Sequence, residues 1–145
     1  MNAGAPPARA RGRGVLGAVE SVSIPAWGVE RLPARVDTGA RTSALHVENV
    51  SELGGGRVRF ELRPGRKKLG PIEANISRRG RVRSTSGKLE TRLFVTARVR
   101  LGTTEHRVEI GLVDRSEMLY RMLLGRSAIS GRFVVDVSRK FVLGK

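Results

Sequence analysis

The residues best placed to do chemistry in this chain are Asp37-Thr38-Gly39, which follow an apolar-ended stretch at residues 32–36. A carboxylate, a hydroxyl and a glycine at the end of a strand set an acid/base group on a short loop held by a sheet. The same triplet also makes a good turn, because Asp caps the backbone and Gly tolerates positive φ. Composition removes several other chemistries. The 145 residues contain no Cys, which excludes disulfide frameworks, thiolate metal sites and Cys nucleophiles. Two His, His46 and His106, cannot build a three-His centre. His46 is followed by Val47, Glu48 and Asn49, so no His-Glu-x-x-His helix is present, and both His read as surface or hydrogen-bonded side chains. No metal is expected. No Gly-x-x-x-x-Gly-Lys-Ser/Thr loop occurs, and Arg11-Gly12-Arg13-Gly14 lies in the N-terminal tail rather than between a strand and a helix. No cofactor is expected either.

The elements that must position Asp37 read as β. Residues 1–14 carry no acid and no periodicity and read as a disordered basic tail, leaving residues 15–145 as one domain. Residues 15–24 contain an alternating stretch, residues 25–28 break it, and residues 29–36 form a second strand ending at Asp37. Gly54-Gly55-Gly56 marks a turn, after which Val58, Phe60 and Leu62 alternate with charged residues. Residues 64–71 read as a basic loop. Leu93, Val95, Ala97, Val99 and Leu101 share one face, and a turn at residues 102–105 leads back through Val108, Ile110 and Leu112 as a hairpin. An apolar run at residues 122–124 leads through Gly125 into a helix of one to two turns, and residues 133–137 and 141–143 read as terminal strands. Many short strands with almost no helix predict an all-β domain, a small barrel or sandwich. The apolar runs are too short to cross a bilayer as a helix and no secretory stretch is visible, so a cytoplasmic protein is expected. Asn49-Val50-Ser51 and Asn75-Ile76-Ser77 match the glycosylation pattern, which has no role in that compartment.

The order of these features is a strand ending in Asp-Thr-Gly, a polar Gly-containing segment at Arg83-Ser84-Thr85-Ser86-Gly87, and an apolar strand entering Gly-Arg and a short helix. It resembles the single-domain retropepsin-like aspartic proteases. A closer resemblance rests on Ala34-Arg35-Val36-Asp37-Thr38-Gly39-Ala40-Arg41-Thr42-Ser43-Ala44-Leu45-His46 and on Arg121-Met122-Leu123-Leu124-Gly125-Arg126. Both stretches are similar to a bacterial family labelled ATP-dependent zinc proteases, associated with RimK-type glutamate ligases. Ser86-Gly87 with Glu90 and Arg92, and the closing Gly131-Arg132-Phe133-Val134-Val135-Asp136, also match its texture, and the resemblance covers roughly residues 15–137. It implies a small closed retropepsin-type barrel with one short helix near the C-terminus, and Asp37 as catalytic carboxylate. Aspartic proteolysis uses two carboxylates about 3 Å apart that share a proton. One chain supplies one Asp-Thr-Gly, so the implied enzyme is a two-fold homodimer with paired Asp37. On this reading Gly39 lets backbone amides approach the carboxylate, Thr38 bonds across the two-fold axis and Ala40 packs beneath the loop. Arg126 supports the loop or is an exposed helix-start Arg. Ser84, Thr85, Ser86 and Gly87 form the tip of a flap over the substrate or an ordinary hairpin turn.

Charge leaves a second reading open. The chain has 28 Lys plus Arg against 13 Asp plus Glu, a net of +15, and residues 57–107 hold 15 of the bases and four of the acids. Such a segment favours polyanions, so a non-catalytic β-barrel binding RNA or a ribosome is the alternative. Only Phe60 and Phe94 are available there for stacking on bases, which disfavours sequence-specific single-strand recognition. For a peptidase, the same field would steer an acidic protein substrate toward the carboxylates, and the associated ligases imply a glutamate-bearing one.

Overall fold

Alternation marks several strands of the computed structural model, which describes residues 12–83 and 86–145. Strand β1 is Gly14–Leu16, β2 Val19–Ile24 and β3 Val29–Val36, with a 3-10 turn at Pro25–Trp27 between the last two. Gly28 closes that turn at φ +73, a left-handed conformation that glycine adopts without strain. Strand β4 is Ser43–Gly54, β5 Arg57–Leu62, β6 Leu69–Asn75 and β7 Arg78–Arg83. Strand β8 is Leu89–Leu101, β9 Thr104–Val113, β10 Met122–Leu124 and β11 Phe133–Val135; the one-turn helix α1, Arg126–Ile129, lies between the last two.

The pairings close a ring of six strands, β10-β3-β2-β8-β9-β4 and back to β10. β5 and β6 extend the sheet from β4, β7 extends it from β8, and β1 pairs in parallel with β11 as a separate two-stranded sheet. The ring is packed by the residues that alternation marks: Val95, Val99, Leu101, Val108 and Ile110 from the β8–β9 hairpin, and Val58, Phe60 and Leu62 from β5, all buried. Trp27 meets Phe60 edge to face at 5.3 Å between ring centres.

Residues 43–54 form a strand that the sequence did not predict, the strand expected at residues 133–137 ends at Val135, and two further segments differ. The basic loop at residues 64–71 ends early, because β6 begins at Leu69 and pairs there with Leu62. Residues 141–143 form a turn rather than a terminal strand. Phe141 N–H donates to the Val19 carbonyl at 2.8 Å, and the next two amides go to a buried carboxylate: Val142 N–H donates to Glu20 Oε2 at 2.9 Å and Leu143 N–H to Oε1 at 3.1 Å. Gly17 N–H also donates to Oε2 at 2.7 Å, so fully buried Glu20 ties the C-terminal turn to the β1–β2 connection. Three backbone donors make burial of that carboxylate tolerable. Among the described residues no helix is long and apolar enough to cross a membrane.

Candidate active site

Asp37 leaves β3 where three segments meet. β10 runs parallel to β3, with Leu124 beside Val36, and antiparallel to β4, with Met122 beside Leu45. It therefore separates the strand that enters the loop at residues 37–42 from the strand that leaves it. Hydrogen bonds join the loop to the exit of β10. Asp37 N–H donates to the Leu124 carbonyl at 2.9 Å, Arg126 N–H to Ala40 at 2.8 Å and Ser127 N–H to Arg41 at 3.0 Å. Gly125 N–H donates to Ser43 Oγ at 3.1 Å. A Cβ on Gly125 would lie 2.3 Å from the Thr42 carbonyl oxygen, so only glycine lets the two backbones approach this closely.

Within the loop, Asp37 is half-buried and Thr38 and Gly39 are exposed. Gly39 N–H donates to Asp37 Oδ1 at 2.9 Å, and a Cβ on Gly39 would sit 3.2 Å from that oxygen. Half-buried Ala40 donates its N–H to the Asp37 carbonyl at 3.2 Å. Arg126 reaches back from the start of α1, its Nη1 donating to the Thr38 carbonyl at 3.0 Å. Asp37, Thr38, Gly39, Ala40 and Arg126 thus form one hydrogen-bonded unit. Such a unit fixes a carboxylate on rigid elements while leaving it open to a reactant.

The polar segment of the sequence lies at the end of the β7–β8 hairpin, where Arg83 pairs with Leu89. Ser84 and Thr85 lie outside the described residues; Ser86 and Gly87 are exposed, and the Gly87 carbonyl accepts from Arg83 Nη1 at 2.8 Å. A cleft of about 460 Å³ lies between this hairpin and the edges of β4 and β9, lined by Val47, Val82, Arg92, Leu112 and Val113 among others.

Neither His stands ready to ligate a metal. His46, buried on β4, accepts Arg115 N–H at Nδ1 (2.9 Å), which leaves its proton on Nε2 to donate to Glu48 Oε2 at 3.0 Å. That bond, opposed by desolvation and aided by Arg63, holds the Glu48 carboxyl below its ordinary range. His106 donates Nε2–H to the Ala128 carbonyl at 3.0 Å, under α1, and its buried Nδ1 has no partner. Among the described residues no three His, Asp or Glu gather as metal ligands, so the donors do not fit a zinc centre.

The chain matches the RimB-like family, described as retropepsin-like aspartic endopeptidase RimB, over residues 15–145. It belongs to that family. A protein named probable alpha-L-glutamate ligase from Shewanella halifaxensis is 39% identical over 137 residues, covering 90% of this chain and 30% of that protein. One of the same name from Parasynechococcus marenigrum is 36% identical, covering 90% and 29%. The chain thus spans under a third of these relatives. The crystal structure of Lpg0085, a Legionella pneumophila protein of unknown function, superposes with a TM-score of 0.75 at 26% identity, covering 90% of this chain and 98% of that one.

In this RimB-like chain, sequence reading gave no role to two half-buried arginines, Arg115 and Arg92, the latter entering only as part of the family resemblance. Arg115, just past β9, is half-buried and within electrostatic reach of Arg35, Asp37 and Arg92. Its Nε donates to the Tyr120 carbonyl at 3.0 Å. Burial, with Arg35 and Arg92 adding repulsion and Asp37 opposing, lowers its pKa from the ordinary arginine value. Arg92, half-buried on β8, is lowered by the same desolvation, with Glu90 opposing. In a chain of 28 bases nothing local marks Arg115; Arg92 belongs to the pattern Ser86-Gly87, Glu90, Arg92 of the family resemblance, and Gly111, whose missing side chain makes room for it, is a further signal.

Proposed function

We propose that the chain is an aspartic endopeptidase that acts as a two-fold homodimer, pairing Asp37 with its copy on a second chain, on an acidic or glutamate-bearing protein. The observation that carries this reading is the loop itself: one carboxylate, braced by Gly39 N–H and anchored through β10 and Arg126, at the mouth of a ring that supplies no second Asp-Thr-Gly. Two copies about an axis through the exposed Thr38-Gly39 edge would bring the carboxylates face to face. The ionised member takes a proton from water as the water oxygen attacks the peptide carbonyl carbon. The protonated member donates to the carbonyl oxygen, giving a neutral tetrahedral intermediate. Collapse of that intermediate breaks the C–N bond, with a proton delivered to the leaving nitrogen. The relatives support the substrate class, since the same domain accounts for roughly 30% of proteins named as alpha-L-glutamate ligases.

Asp37→Asn tests this. The expected result is loss of peptide cleavage by at least a hundredfold with unchanged circular dichroism and unchanged dimer mass in sedimentation. Cleavage at the wild-type rate would remove Asp37 from the mechanism. A strictly monomeric enzyme that still cleaves would remove the pairing.

A further inference from the structure

The geometry points to Arg92 and Arg115 as a carboxylate-binding subsite that selects an acidic side chain of the peptide lying across Asp37. This inference rests on the endopeptidase reading of the site. The cleft beneath the β7–β8 hairpin, about 460 Å³, has room for a side chain and its flanking backbone, and Arg92 lines it. Arg92 has a built seat: a Cβ on Gly111 would come within 2.8 Å of its Cδ, so the glycine accommodates the arginine stem. Arg115 is held at both ends, its backbone N–H on His46 Nδ1 at 2.9 Å and its Nε on the Tyr120 carbonyl at 3.0 Å. That leaves the Nη groups for a ligand.

The two differ from the other arginines of the basic segment. Arg59 reaches Glu73 at 3.1 Å, Arg63 reaches Glu48 at 3.4 Å and Arg78 reaches Glu109 at 2.8 Å. Among the described residues no carboxylate lies within ion-pair distance of Arg92 or Arg115. The cleft's own acids do not fill that role. Asp114 is bonded to Ser116 N–H at 3.0 Å and Oγ at 2.7 Å, and exposed Glu90 acts on Arg92 only at longer range. Asp37 likewise acts on Arg115 only at longer range, and a half-buried guanidinium without an ion-pair partner gains from a substrate carboxylate through a planar, two-pronged contact.

The test uses the full chain as its Asp37→Asn variant, which separates binding from cleavage, and two fluorescein-labelled peptides that differ only as six glutamates against six glutamines. Fluorescence anisotropy at constant ionic strength is expected to give at least tenfold tighter binding of the glutamate peptide. Arg92→Met and Arg115→Met should each reduce that preference roughly fivefold or more, and the double variant should abolish it. Arg115→Lys, which keeps the charge and loses the fork, should restore only part. Thermal melts establish that each variant is folded. An unchanged preference in folded double variants, or equal affinity for the two peptides without substitution, overturns the inference. Failure of the endopeptidase reading would show separately, as cleavage by wild type that Asp37→Asn leaves intact.

Discussion

Gly125→Ala asks whether the Asp37 loop is held in place by the exit of β10. Gly125 has φ −93 and ψ 176, an extended conformation open to any residue, so alanine brings no backbone strain. Its effect comes from contact alone. The new Cβ would lie 2.3 Å from the Thr42 oxygen, 2.5 Å from its carbonyl carbon and 2.9 Å from its nitrogen, all backbone atoms that cannot rotate aside. The two segments must part by roughly 0.7 Å to reach even a crowded 3.0 Å. Overpacking of this kind costs about 1–3 kcal/mol. The separation also stretches the bonds Gly125 N–Ser43 Oγ, Arg126 N–Ala40 O and Ser127 N–Arg41 O, each worth about 1 kcal/mol. The expected loss in urea unfolding is therefore about 3 kcal/mol or more, with residual peptidase activity lower than the folded fraction alone accounts for. Gly65→Ala is the control: nothing lies within 4 Å of its Cβ position, and a change within about 0.5 kcal/mol is expected. A loss below about 1 kcal/mol for Gly125→Ala would refute the claim that this contact sets the loop.

Glu20→Gln should destabilise the fold by about 2 kcal/mol or more in the same assay, because an amide offers one acceptor oxygen where three backbone N–H groups now converge on two. It should also raise hydrogen exchange at Val142 and Leu143, and unaltered protection there would count against the tie. His106 gives a pH signature. Burial lowers its pKa from 6.5, with the Ala128 bond opposing and Arg132 adding to the shift, so below about pH 6.5 the unfolded chain binds a proton that the native chain does not. Its contribution is complete above that pH and is lost as pH falls toward the folded value, with a slope of at most about 1.4 kcal/mol per unit. Wild-type unfolding free energy should fall more steeply between pH 6.5 and 5 than that of His106→Gln, and parallel curves would show that His106 does not titrate this way.

How much could be read from sequence depended on how many faces of an element are covered. The strand into Asp37 is legible because one face of β3 meets solvent, so buried Leu32, Ala34 and Val36 alternate with exposed Arg31, Pro33 and Arg35. The same holds for β5, β8 and β9. β4 gave no such signal: Ser43, Ala44, Leu45, His46 and Val47 are all buried, since β10 and β9 flank the strand and both faces are covered. A run without period and with a polar His at its centre does not read as strand. β6 was hidden by Gly70 and Pro71 near its start, residues that ordinarily mark loops. The Asp37 loop was legible because Asp37, Thr38 and Gly39 are contiguous in the chain. The lack of an ion-pair partner at Arg92 and Arg115 was not, because partnership is fixed by which strands the ring brings together.

That distinction also redefines the net charge. Exposed ion pairs such as Arg59–Glu73 or Arg100–Glu105 contribute less than about 1 kcal/mol each, so they explain where acids sit without explaining why bases exceed them. A surface needs charge only for solubility, and solvated arginines serve that at little cost. Arg92 and Arg115 are different: each is half-buried and without an ion-pair partner among the described residues, Glu90 acting on the first and Asp37 on the second only at longer range. A fold selected for stability alone would pair such groups or replace them, because desolvation without compensation lowers stability. Under the proposed carboxylate subsite, the compensating charge is supplied from outside. On that proposal the supplier is a substrate whose acidic side chain would pair with these arginines as its backbone reaches Asp37.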